Sequence, residues 1–152
     1  MTAMRFHLID RIESWEPLQH ITARKLTSVY EQVWQPSATG PVLPFGLALE
    51  ALCQAGAWLV LLSSAHTKRA ALLTVGEVTM YRDAVPGDVL RMTAKVVHAT
   101  PEAAVVDGWI EVEGERIMDA RNIMCALIEA DRLDDPADTE RMARHLLGQE
   151  LV

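Results

Sequence analysis

The chain has 152 residues, half of them hydrophobic and 23% charged, with a formal net charge of −7. That length fits one domain with a substantial core, and the composition is that of an ordered globular protein, not a disordered one. The acidic balance gives no electrostatic case for nucleic acid, whose phosphates reward a basic patch.

Residues 4–15 (MRFHLIDRIESW) alternate weakly and end at a Trp15–Glu16–Pro17 turn, leaving helix and edge strand both open. Charges are spread through this end and no long apolar core follows, so no signal peptide is read there. Residues 20–34 (HITARKLTSVYEQVW) are rich in β-branched and aromatic side chains and predict a long strand bent near Ser28. The loop at 35–46 (QPSATGPVLPFG) is dense in Pro, Gly, Ser and Thr, and a long ordered loop in a small domain usually serves function.

Residues 47–62 predict the central helix, about 24 Å long at roughly 1.5 Å per residue. In 47–62 the only strongly polar side chains are Glu50 and Gln54. With apolar residues on every face, the helix should be wrapped by other elements, leaving Glu50 with little water around it. A carboxylate so placed must be paired, protonated or open to a pocket. Gly56, with Ala51, Ala55 and Ala57, should let strands approach the helix closely. Trp58 is a candidate for core or for a pocket wall. The uncharged run 51–66 falls short of a convincing membrane span.

An exit loop at 63–70 precedes four segments of strand character: 71–82, 89–100, 103–116 and 116–129. Pro86–Gly87 predicts a type II turn, Gly108 a bulge, and Glu113–Gly114 a hairpin turn. A polar linker at 130–138 and a short helix at 139–148, N-capped by Asp138, complete the chain. One strand, one helix and four strands in meander order make an α+β domain whose sheet the single helix covers. The domain is placed at 1–130 and the linker with its helix at 131–152. Cys53 and Cys125 have no CxxC or Cys/His spacing and read as buried free thiols. His7, His20, His66, His98 and His145 are scattered and fit surface or loop positions. No metal-ligand spacing is present, and no metal or cofactor is expected.

Residues 41–54 (PVLPFGLALEALCQ), and 82–96 with its Val85–Pro86–Gly87–Asp88 turn followed by 105–127, resemble the hotdog-fold 3-hydroxyacyl-acyl carrier protein dehydratases. Residues 6–12 (FHLIDRI) and 31–34 share the resemblance, which covers roughly 5–128. It implies a curved antiparallel sheet around one long helix, paired protomers, and a site for an acyl carrier protein or CoA thioester between them. Glu50 falls at the family's helix acid and Gln54 at its glutamine. Phe45 falls at the helix-start amide that holds the thioester carbonyl, where the family has glycine, and Gly46 follows it. The family's loop histidine should fall near Pro36 or Ser37, and no histidine lies between His20 and His66.

The resemblance thus implies a cytoplasmic acyl-thioester protein, with Glu50 as catalytic acid and Phe45, Gly46, Gln54 and Trp58 contacting substrate. Gln54 also reads as a hydrogen-bond partner of a neighbouring strand or loop. Three activities follow: dehydratase, an impaired subunit that binds acyl thioesters or pairs with an active dehydratase, or thioesterase using Glu50. Partners would be the thioester and a second subunit, identical or related, with no nucleic acid and no membrane span.

Overall fold

Alternating burial along 103–112, where every second side chain turns inward, marks a strand with one face on a core. A computed structural model describes residues 7–132 and 135–149, and six such strands form one antiparallel sheet in it. In chain order the elements are β1 (Arg11–Glu16), β2 (His20–Leu26), α1 (Phe45–Ser63), β3 (Lys68–Met80), β4 (Val89–Ala99), β5 (Ala103–Val112) and β6 (Glu115–Glu129). A 3₁₀ turn (Ala130–Arg132) and α2 (Pro136–Leu147) follow. This is the sheet around one long helix that the resemblance to the hotdog-fold dehydratases implies.

The spatial order is β1-β2-β4-β5-β6-β3, which corrects the simple meander. β1 and β2 form one hairpin and β4, β5 and β6 follow one another through two more, while β2 pairs with β4 and β3 lies beyond β6. Hydrophobic pattern identifies strands but does not choose between these neighbours. Register shifts interrupt β3 at Leu72/Thr74, β4 at Val96/His98 and β5 at Val106/Gly108. Bulges increase local twist and bend a sheet, which here curls around α1. The turns agree with their residues: Gly87 has φ 95°, and Glu113 and Gly114 have φ 51° and 79°. The last pair is the left-handed geometry of a tight hairpin.

Several boundaries shift. The undecided segment at 4–15 contains strand β1, with residues 4–6 outside the described part. The strand predicted over 20–34 stops at Leu26, because the chain there is bound into a turn by side chains. Lys25, 6% exposed, sets Nζ 3.1 Å from Glu31 Oε2, and Glu31 Oε1 accepts the Ser28 N–H at 3.0 Å. Trp34 Nε1–H donates to the Ser28 carbonyl at 2.7 Å. A buried ammonium needs such a partner, and this local pairing outcompetes continued ladder formation. β3 begins at Lys68, inside the predicted exit loop, after Ala65 and His66 reverse the chain with φ 51° and 66°.

The last helix starts three residues earlier than expected. Asp135, not Asp138, is the N-cap: its carboxylate accepts the Ala137 N–H at 2.9 Å, with Pro136 in the first turn. Proline suits the first turn because its missing N–H has no partner to lose. Asp138 lies inside the first turn, paired with Arg141. Ala143 and Leu146 of α2 join the core formed by α1 and the sheet, and α2 packs on β1.

Helix α1 packs against β1, β2, β3, β4 and β5, burying Ala48, Ala51, Leu52, Ala55, Gly56, Leu59 and Val60. By length and composition it could cross a bilayer, but half of its most apolar window is buried inside the protein. It is the core helix of the sheet. Its wrapping is incomplete, however, and the side left open carries the polar residues.

Candidate active site

Glu50, Cys53, Gln54, Ala57, Trp58 and Leu61 recur at steps of three and four along α1, so they form one stripe on its surface. That stripe floors an open groove of about 400 Å³. From Glu50 to Leu61 it runs roughly 16 Å at helical rise. Arg69, Ala70 and Leu72 of β3 line it, as do His7, ahead of β1, and Thr139 and Met142 of α2. The lining mixes apolar surface along its length with a few polar groups, the usual build of a small-molecule site.

Glu50 is exposed in this protomer, which corrects the expectation of a carboxylate cut off from water. The sheet covers the helix faces that carry Ala48, Ala51, Leu52 and Ala55, while the stripe holding Glu50 and Ala57 faces the groove. Gln54, one turn on, donates from Nε2 to Glu50 Oε1 at 3.1 Å and accepts the Leu8 N–H on its Oε1 at 2.9 Å. The amide therefore ties the carboxylate to the backbone of the N-terminal segment. This is the structural hydrogen bond anticipated for Gln54, and it also fixes one Glu50 oxygen. Trp58 is half-buried, packed on the core with part of its ring in the groove.

Cys53 shares the groove but is a poor nucleophile. Burial first, and then the charge of Glu50, push its thiol up to about 12, and burial likewise raises Cys125. A raised value keeps the proton on sulfur throughout the neutral range, and the thiolate is the reactive form. At about pH 8 native Cys53 should alkylate with iodoacetamide on the order of a thousandfold more slowly than in the urea-unfolded chain. Peptide mass spectrometry of timed reactions reads both rates.

Phe45 and Gly46 form the first turn of α1, where backbone N–H groups lack intrahelical acceptors. Pro44 precedes them and offers no side-chain cap. Open space surrounds the Cα of Gly46, and Phe45 is 49% exposed. Neither residue lines the groove, so Glu50, Gln54 and Trp58 are brought together and the helix-start amides lie apart from them. The loop before the helix is a small ordered hairpin: Gln35 and Val42 exchange backbone hydrogen bonds of 2.9 Å, and Ser37 closes on Gly40. Pro36 and Ser37 are exposed on it and do not line the groove.

Sequence reasoning missed the groove residues outside α1: His7, Arg69, Ala70, Leu72, Thr139 and Met142. They lie far from Glu50 in the chain, and only folding assembles them. For α2 a signal was present, since its amphipathic spacing demands a surface to pack on.

Residues 1–121 match the FabA-like domain family. The chain is 33% identical over 115 residues to a 3-hydroxyacyl-[acyl-carrier-protein] dehydratase, FabZ, of Clostridium acetobutylicum, covering 74% of this chain and 82% of the relative. The FabZ of Symbiobacterium thermophilum is 32% identical over 127 residues, covering 82% and 89%. Among solved structures, a Streptococcus mutans protein bound to acetyl CoA is similar with a TM-score of 0.65 and 18% identity, over 86% of this chain and 97% of that one. A Haemophilus influenzae thioesterase follows at 0.63 and 17%, over 81% and 79%. At such identities the structural likeness speaks for the fold alone.

Proposed function

Because this chain belongs to the FabA-like family of hotdog-fold dehydratases, we propose that it dehydrates 3-hydroxyacyl thioesters in the groove along α1, with Glu50 as the acid. The observation that carries this reading is Glu50, held by Gln54 at one end of an apolar-floored groove that runs on to Trp58 and Leu61. Eliminating water from a 3-hydroxyacyl thioester requires a proton for the departing hydroxyl and a base at C2. It also requires polarisation of the thioester carbonyl, for which helix-start amides are suited. Glu50 supplies the first, and the groove floor receives the acyl chain against Trp58. The Phe45 and Gly46 amides, about one turn ahead of Glu50 on α1 but outside the groove lining, are candidates for the last, with the carbonyl held beyond the groove's Glu50 end.

The thioester is carried on acyl carrier protein or CoA, as the names of the relatives and the acetyl CoA of the Streptococcus mutans neighbour suggest for those proteins. We further place a second copy, or a related dehydratase subunit, along β3. This strand ends the sheet, and Leu72 and Leu73 on it are 50% and 62% exposed. An unpaired apolar edge of this length is a template for another strand. A cytoplasmic location accords with this chemistry.

Purified protein mixed with trans-2-enoyl thioester should equilibrate it with the 3-hydroxyacyl form. Release of free thiol instead would favour the thioesterase reading. No reaction alone, with turnover on adding a related dehydratase, would favour the subunit reading.

A further inference from the structure

We propose that His7 is the proton acceptor of this site. The inference rests on the dehydratase reading above and supplies the group that the loop at 35–46 lacks. His7 lines the same groove as Glu50, and no other histidine does so. Its place is not incidental: the next residue, Leu8, is buried at 4% exposure and donates its backbone N–H to Gln54, the amide that also holds Glu50. One side chain thus fixes both the carboxylate and the backbone that carries the imidazole. The other titratable or charged side chains lining the groove are Cys53 of α1, which stays protonated, and Arg69 of β3. From α2 come Thr139 and Met142, neither of which titrates.

The alternatives are weaker bases. Cys53 holds its proton, and Arg69 is permanently cationic. Ser37 and Thr39 bond each other or the Gly40 carbonyl on the loop hairpin, away from the groove. An imidazole is the side chain that can take a carbon-bound proton near neutral pH and return it.

In the step itself, the C2–H bond breaks and its proton passes to the neutral imidazole of His7. The electron pair left behind forms the C2–C3 double bond as the C3–O bond breaks. The departing hydroxyl takes the proton of Glu50 and leaves as water. Product is the trans-2-enoyl thioester; imidazolium and carboxylate remain, and transfer of the proton back to Glu50 through solvent restores the starting state. Nothing is oxidised or reduced.

The test compares wild type with His7→Gln and His7→Ala in enoyl hydration, with melting temperatures measured alongside. Being exposed, His7 can be replaced without loss of core packing. Both variants should lose about 10²–10⁴-fold in kcat with little change in KM. In hydration the imidazolium gives its proton to C2, so the basic limb of the wild-type kcat profile, where the imidazolium loses that proton, should vanish in His7→Gln. Added imidazole should restore part of the His7→Ala rate. Variants within twofold of wild type would overturn the assignment. So would a loss confined to KM or to thermal stability, with the pH profile intact and no rescue. Wild type inactive on every thioester would instead defeat the dehydratase reading on which the assignment rests.

Discussion

Glu50→Gln should lower dehydration of a 3-hydroxyacyl thioester by about 10²–10⁴-fold, the effect of deleting one general acid, while the melting temperature stays where it was. The substitution is suited to the question. Glutamine keeps an oxygen to accept the Gln54 Nε2–H, so the Leu8–Gln54 link that orders the N-terminal segment persists. Glu50 is exposed and takes part in no core packing, so the expected stability change is within about 0.5 kcal/mol. What glutamine cannot do is give a proton to the leaving hydroxyl. A steady-state rate in both directions, with a thermal melt on the same sample, checks both halves. Unchanged turnover would remove Glu50 from the chemistry.

The second large effect concerns the sheet that carries the helix. Gly108→Ala should destabilise the fold by about 1–3 kcal/mol, as expected for overpacking. For a chain of this length that is roughly 3–10 °C in melting temperature. A Cβ at Gly108 would sit 2.9 Å from both Leu52 Cδ1 and the Thr93 carbonyl oxygen. Leu52 is fully buried and the carbonyl belongs to the neighbouring strand β4, so neither gives way cheaply. Gly108 therefore does two things at once: it stands at the β5 bulge and lets α1 lie close on the sheet. Gly56→Ala makes the contrast. A Cβ there meets Val106 Cγ1 at 3.8 Å, an ordinary contact, and alanine is worth up to about 1 kcal/mol over glycine inside a helix. Chemical unfolding of the two variants should move in opposite directions or leave Gly56→Ala neutral.

That pair shows where the sequence was legible. The mutual approach of helix and strands was anticipated from the small residues of α1. Ala51 and Ala55 do pack fully buried, but the glycine on which the approach depends lies on the strand. Periodicity identified α1 and the run of strands after it because apolar spacing is a local property. It could not foresee that β3 would lie beyond β6, since strand order is decided by which edges meet. The turn at Glu31 was hidden for a related reason: the β-branched run through Thr27 continues the strand pattern, and the side-chain bonds of Glu31 to Lys25 and Ser28 and of Trp34 to Ser28 hold the turn that follows it.

The candidate site divides the same way. Glu50, Gln54 and Trp58 sit at helical spacing and could be read together from the chain. Their exposure could not, because an apolar helix announces burial on every face while the sheet covers only part of it. His7 and Met142 enter the groove from opposite ends of the sequence. The amphipathic character of α2 signalled that it would pack somewhere, without saying that Thr139 and Met142 would form a wall beside Glu50.

The central claim is proton chemistry at C2 of an acyl thioester in this groove, and deuterium reads it directly. Incubating the protein with a trans-2-enoyl thioester in heavy water should yield 3-hydroxyacyl thioester carrying one solvent deuterium at C2, with the thioester bond intact. Recovery of free thiol with no deuterium at C2 in any acyl product would contradict it.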